Sequence, residues 1–470
     1  MKKLLSINPT DSTLIDQYDQ YDINKIEKII KDSSNAQQKW KNQKIDFRIN
    51  MLSSIIDDLN QNIDSYAKII TLEMGKPISE SILEIQKCIY LCEYYFSNGK
   101  EFLESETLNF KSKKSLIKFD PLGIVFGIMP WNFPFWQVFR FAIPSLIAGN
   151  TVILKHASNV QGTSILLNKI FNQNLDKYLF QSIIIDSSLV SSVISNKYIS
   201  AISFTGSDIA GSKVAECCGH NIKKTVLELG GSDPFIILED ADMIKCIDGA
   251  ITSRMINNGQ SCIAAKRFIV NEKIYDDFLN QLKDKVEKLI IGNPLDKKTQ
   301  VGPLATKNIL DELDSQIQES SKMGASIITG GSKINNEGYF YYPTIITDIS
   351  KDMPIYYEET FGPIFTIIKV KDDNEALEIA NDSDYGLGGS IWSEDQDRAF
   401  NIAAKLETGC IFINGFTRSD PSLPFGGIKR SGYGKELSKY GIREFVNAKT
   451  IVIMWPKSLF VSLIYINLKL

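Results

Sequence analysis

The chain opens with apolar residues repeating every three to four positions. Ile23, Ile26, Ile29 and Ile30 fall on one helical face, and the pattern returns from Phe47 to Ile63 and from Ser79 to Phe96. Gly75-Lys76-Pro77 breaks the series. The spacing predicts a mainly helical stretch over 23–103. Lys111 to Phe119 is more extended and reads as an edge strand.

From Pro121 the texture changes. Ile124 to Met129 is a continuous apolar run ended by Pro130, which suits a buried parallel strand. A helical stretch follows to Gly149, then a strand Thr151–Leu154 ending in Lys155, and a helix from Gln161 to Asn172. Ser182–Ile185 reads as strand, Ser187–Ile194 as helix, Ile199–Phe204 as strand, Asp208–Cys218 as helix and Thr225–Leu227 as strand. After Pro234 a second unit begins, with strand Phe235–Leu238, helix Asp242–Ile256, strand Arg267–Val270 and helix Ile274–Leu289. Such alternation predicts an α/β fold with doubly wound parallel sheets, in which ligands bind beyond the carboxyl ends of the strands. Lys155, Gly206 and Glu228 stand at such ends.

Composition narrows this picture. The 470 residues are 43% hydrophobic and 23% charged, enough for two or three domains. Net charge is −4 with the two signs mixed, which argues against a nucleic-acid surface. Seven cysteines without a CxxC argue against a disulfide framework or a zinc site, and fit a reducing, cytoplasmic compartment. Two histidines, His156 and His220, leave little for a metal centre, so none is expected. The N-terminus lacks the apolar core of a signal peptide. Leu459–Ile466 is apolar but far short of the ~20 residues that cross a bilayer. That tail, within 455–470, reads as a strand or helix packed on a neighbour rather than a membrane element.

Chemistry concentrates between Leu227 and Lys266. Glu228 ends an apolar strand before Gly230-Gly231, so it is expected to face a cleft, although a solvated carboxylate fits the same pattern. Cys262 follows the polar turn Asn257-Asn258-Gly259-Gln260-Ser261, whereas the other cysteines lie in apolar or helical settings. A thiolate is a strong nucleophile and a nearby carboxylate can serve it as a base. Thr205-Gly206-Ser207 opens a helix whose N–H groups could hold a phosphate, with Lys155 at a neighbouring strand end, but many ordinary strand-to-helix turns look the same. Asn132 could donate to an oxyanion or simply shape a turn. Arg140, in an apolar helix, needs a partner: either a structural carboxylate or a substrate carboxylate.

In order along the chain, these segments resemble the aldehyde dehydrogenase superfamily. The resemblance rests on Pro130-Trp131-Asn132-Phe133-Pro134, Phe204-Thr205-Gly206-Ser207, Leu227-Glu228-Leu229-Gly230-Gly231, Asn258-Gly259-Gln260-Ser261-Cys262, Glu359-Thr360-Phe361-Gly362-Pro363 and Pro424-Phe425-Gly426-Gly427 through Gly432. It spans about residues 5–454. Trp136–Arg140, Leu154–Val160 and Gly230–Phe235 resemble the succinate-semialdehyde dehydrogenase branch.

The resemblance implies two Rossmann-like domains, one for a cofactor (1–104 with 121–229) and one for catalysis (230–415), plus a small β oligomerisation arm (105–120 with 440–454). It implies that Cys262 attacks an aldehyde, that Asn132 holds the oxyanion, and that Glu228 activates water against a thioester. Glu359 and Phe361 would meet the nicotinamide end of a dinucleotide. Met129, Trp131, Lys155 and Ser158 would line the adenosine half, with Gly206, Ser207 and Leu229 along the cleft. Ser158 stands where many NAD-preferring relatives carry a Glu that would repel a 2′-phosphate. The reading therefore leans to NADP, with NAD as the alternative. Arg140 and Ser419 would contact a small aldehyde carrying a carboxylate, but an Arg that some relatives place six residues before the nucleophile is Ile256 here, with Arg254 displaced by two. No second cysteine adjoins Cys262, so no disulfide gate is expected. A homodimer or homotetramer is implied. Glutarate semialdehyde or another ω-aldehyde is the alternative substrate, and a cofactor-free thiol esterase the alternative of another class. A catalytically dead binding or structural protein is a further class, against which the intact Cys262, Glu228 and Asn132 argue.

Overall fold

The structure, a computed structural model, describes residues 3–335 and 337–454. The tail expected to form a packed strand or helix lies outside the described residues.

The helical stretch folds as three helices, Ile23–Trp40, Ile45–Met74 and Ile78–Phe102. Their buried residues recur on one face, as the spacing requires, and Gly75 ends the second helix in the left-handed conformation, φ 78°. The first helix lies against a six-stranded sheet, and the other two pack on the helices that cover that sheet. Its order is Gly432–Tyr433, Lys224–Glu228, Ile199–Thr205, Ile124–Met129, Thr151–His156, Phe180–Ser182. All neighbours are parallel except Gly432–Tyr433, which runs antiparallel to Lys224–Glu228.

Ile124–Met129 is buried at every position because strands flank it on both sides and helices cover both faces. One of those covers, the helix Trp136–Ala148, is itself buried throughout. It comes close enough that a Cβ on Gly127 would lie 2.1 Å from the Phe141 ring. A glycine in mid-strand is thus required by helix–sheet packing. The first turn of this helix is tied down from outside, since Glu84 accepts from the Phe135 and Trp136 N–H groups at 2.8 and 2.9 Å. A carboxylate there also complements the helix dipole.

The second sheet has seven strands in the order Ser326–Thr329, Thr344–Thr347, Ile364–Val370, Ala265–Asn271, Asp233–Ile237, Ser390–Trp392, Phe412–Ile413. Only the first pair is antiparallel.

Some expectations need correcting. The extended segment expected as an edge strand over 111–119 is Lys114–Pro121, the middle strand of a three-stranded antiparallel sheet. Val446–Ile453 pairs with all eight of its residues and Glu106–Thr107 with its other edge. The strand read over 182–185 is Phe180–Ser182 instead. Ile183, Ile184 and Ile185 are buried by packing, and the Ile184 carbonyl accepts from Tyr21 near the start of the chain rather than from a sheet neighbour. Lys155 lies within its strand, which runs one residue further to His156. The N-terminal hairpin Leu4–Ile7 with Leu14–Tyr18 had no clear signal in the sequence. Among the described residues, no helix is long and apolar enough to cross a membrane.

Candidate active site

Cys262 sits just beyond a strained turn. Helix Met243–Met255 ends, and Asn257, Asn258 and Gly259 follow with φ of 55°, 57° and 77°. Three successive left-handed residues are costly and need outside support. That support is dense. Glu80 accepts from the Asn257 N–H at 2.6 Å. The Asn258 side chain donates to the Gly75 and Pro303 carbonyls and accepts from the Gly302 N–H. Arg254, fully buried, donates to the carbonyls of Gly259, Thr360, Gly362 and Ala265. Lys266 donates to the Ser261 and Cys262 carbonyls and pairs with Glu359 at 3.1 Å. Arg254 is therefore committed to holding the turn.

Two cavities meet at Cys262. The larger, about 290 Å³, begins at Thr205-Gly206-Ser207 beyond the strand ends and passes Leu229 and Gly230. Trp131 and Phe361 line it too, their rings edge to face with centroids 5.7 Å apart, and Glu359 faces it. The smaller, about 60 Å³, is lined by Trp136, Arg140, Ile256, Phe425 and Ser419, and also by Lys87. Cys262 and Gln137 line both.

The larger cleft suits a dinucleotide. The helix Asp208–His220 starts at its wall, with Ser207 as N-cap accepting from Ala210 N–H at 3.3 Å. Its dipole favours phosphate, and Gly206 and Gly230 present backbone without side chains. A Cβ on Gly230 would lie 2.4 Å from the Glu359 carboxylate. Met129, Lys155 and Ser158 line neither cavity. Met129 is buried in the core, Ser158 is exposed in a turn beyond the neighbouring strand, and Lys155 donates to the His156 carbonyl at 3.0 Å. Burial holds the Lys155 ammonium below its usual range, partly opposed by Asp186.

The chemistry-bearing groups are buried or partly buried. Burial pushes the Cys262 thiol up to about 12, against the pull of Lys266 and Arg140. The Asn132 side chain is buried, and its amide donates to the Gln260 carbonyl at 3.1 Å, beside the turn that leads to Cys262. Glu228 departs from expectation: it is buried and lines neither cavity. The segment around Gly426 covers it, so close that a Cβ on Gly426 would stand 2.6 Å from its carboxylate. Burial raises its carboxyl well above the usual range and Glu436 raises it further, with Arg140 and Lys435 opposing. Arg140 forms a buried ion pair with Glu436 and stands over the Phe425 ring at 5.0 Å.

Several residues here were not singled out by sequence. Glu80, Lys266 and Glu436 look like ordinary charged residues, because their partners are 177, 93 and 296 positions distant in the respective cases of Asn257, Glu359 and Arg140. Lys87 lies on the helix Ile78–Phe102, one turn after Glu84, and nothing local marks it.

Comparison with known proteins agrees with this geometry. The aldehyde dehydrogenase family model matches residues 2–451. A probable succinate-semialdehyde dehydrogenase [NADP(+)] of Synechocystis sp. is 44% identical over 403 residues, 86% of this chain and 89% of the relative. A succinate-semialdehyde dehydrogenase [NADP(+)] of Mycobacterium avium is 43% identical over 415 residues, 87% and 88% of the two chains. The crystal structure of succinic semialdehyde dehydrogenase from Streptococcus pyogenes, in complex with NADP+, superposes with a TM-score of 0.94 at 37% identity, covering 96% of this chain and all of that one. A strained cysteine turn between two doubly wound sheets, matched over nearly the whole length, leaves one conclusion: this chain belongs to the aldehyde dehydrogenase family.

Proposed function

We propose that this protein oxidises succinate semialdehyde to succinate with NADP as hydride acceptor, Cys262 being the nucleophile. The observation that carries the reading is the position of Cys262 where a cleft walled by a helix N-terminus meets a small cavity lined by cations and by no carboxylate. The relatives named above for this activity support it.

The residues divide the work. The cleft from Ser207 to Glu359 and Phe361 would hold NADP, which, when bound, accepts hydride from the aldehyde carbon. The Cys262 thiol releases its proton to solvent as Sγ adds to that carbon, and the Asn132 amide with the Cys262 N–H steadies the oxygen as it gains charge. Loss of hydride leaves a thioester on Cys262. Glu228 takes a proton from water, whose oxygen displaces the thiolate and releases the acid. Because its carboxylate lies under Gly426, Glu228 must turn toward Cys262 for this step. Arg140 and Ser419 border the space for the substrate carboxylate. A cationic aminoaldehyde would meet like charge there.

In this reading residues 1–104 and 121–229 carry the cofactor, 230–415 the chemistry, and 105–120 with 440–454 contacts between copies in a homodimer or homotetramer. A reducing, cytoplasmic compartment would keep Cys262 as thiol. The test is initial rates of cofactor reduction with succinate semialdehyde. NADP-dependent turnover that Cys262→Ala lowers by at least ~10³-fold is expected. Turnover of uncharged aldehydes alone would overturn the substrate, and ester hydrolysis without cofactor would overturn the reaction.

A further inference from the structure

The smaller cavity holds a cation that the mechanism above leaves idle. Lys87 lines it from the helix Ile78–Phe102, half-buried, with its ammonium donating to Ser419 Oγ at 2.8 Å and lying 4.2 Å from the Trp136 ring centroid. Neither partner carries charge.

Each nearby carboxylate is already engaged. Glu84, one turn earlier, pairs with Lys76 and accepts from two backbone N–H groups at the start of the helix Trp136–Ala148. Asp420 accepts from the N–H and hydroxyl of Ser422. Arg140 has the opposite character. Its charge is offset by Glu436 in an ion pair whose side chains are each 2% exposed. Toward an anion in the cavity, the Arg140–Glu436 pair acts as a dipole, whereas Lys87 acts as an uncompensated charge. Ile256, also in the wall, contributes none.

We propose that Lys87, together with the Ser419 hydroxyl it already holds, anchors the carboxylate of the substrate in the cavity beside Cys262. The inference rests on the reading of the substrate as a carboxylate-bearing aldehyde. Trp136 sets the ammonium in place, and Ser419 turns its hydroxyl from accepting the Lys87 proton to donating to the carboxylate. Arg418, a further cation in the wall, is exposed to solvent, so Lys87 is the less solvated of the two, and a small cavity with this charge selects short aldehydes by their terminal anion. Arg140, its charge offset by Glu436, borders the same space.

The experiment compares kcat/KM for succinate semialdehyde with that for butanal, an uncharged aldehyde of equal chain length, in wild type, Lys87→Met and Lys87→Arg. Wild type is expected to favour succinate semialdehyde. Lys87→Met should reduce that preference by about 10- to 100-fold through KM, as for a lost charge-assisted hydrogen bond. Lys87→Arg should recover most of it. A Lys87→Met enzyme that keeps the wild-type preference overturns the proposal while the proposed function stands. Equal losses on both aldehydes, with no recovery in Lys87→Arg, also overturn it, because that marks a structural role. Absence of preference in wild type overturns both.

Discussion

Glu228 shows how much a single residue depends on its surroundings. It ends a parallel strand, as its sequence position suggests, yet burial and the Glu436 carboxylate favour its protonated form. A protonated carboxyl cannot take a proton from water. The sign follows: with the folded pKa raised, the base is available only as pH rises, and hydrolysis should quicken with pH through that raised value. Glu228→Gln should remove this rising limb and lower kcat by ~10²- to 10⁴-fold, read from a pH–rate profile. An unchanged profile would show that another group serves as base. At this scale the sequence was informative where chemistry has a local signature. Cys262 stood out because a polar turn precedes it. Lys87 did not, because its significance comes from Ser419 and Trp136 being brought beside it by the fold.

Among elements, the turn at 257–259 is the one whose form is least negotiable. Gly259 combines φ 77° with an approach that would put a Cβ 2.2 Å from the Gly362 carbonyl oxygen. Gly259→Ala meets ~1–2 kcal/mol of left-handed strain and a backbone collision that only movement of the turn can relieve. Melting temperature and kcat/KM should therefore fall together. An unaltered kcat/KM in a destabilised variant would mean that the turn does not set the position of Cys262. The alternating strands and helices were readable because each buried strand is a continuous apolar run and each helix has a one-sided stripe. Boundaries slipped where tertiary packing buries apolar residues outside a ladder, as at Ile184 and Ile185. The central position of Lys114–Pro121 was not readable, since its partner strand begins 325 residues later at Val446.

At the scale of the whole molecule, Val446–Ile453 is an edge strand of its three-stranded sheet among the described residues. Val446–Ile453 pairs on one side only, and Ile451, Val452 and Ile453 are 38%, 38% and 48% exposed. An exposed, partly apolar edge strand invites another strand or surface. Under the proposed assembly, light scattering should give a mass that is a multiple of 52.8 kDa. Ile451→Lys with Ile453→Lys should lower that mass, and a monomeric wild type would remove the role given to this sheet. The sequence could supply the strand through resemblance, but not its place at the edge of the sheet, because that depends on which strands pair.

The central claim is that Cys262 carries the substrate as a thioester which Glu228 then releases. The most direct measurement is peptide mass mapping of the Glu228→Gln enzyme, quenched after mixing with succinate semialdehyde and NADP. The expected result is a succinyl adduct on the peptide bearing Cys262, absent when NADP is omitted and absent in Cys262→Ala. Formation of reduced cofactor with no adduct on Cys262, or with the adduct on another cysteine, would contradict the account.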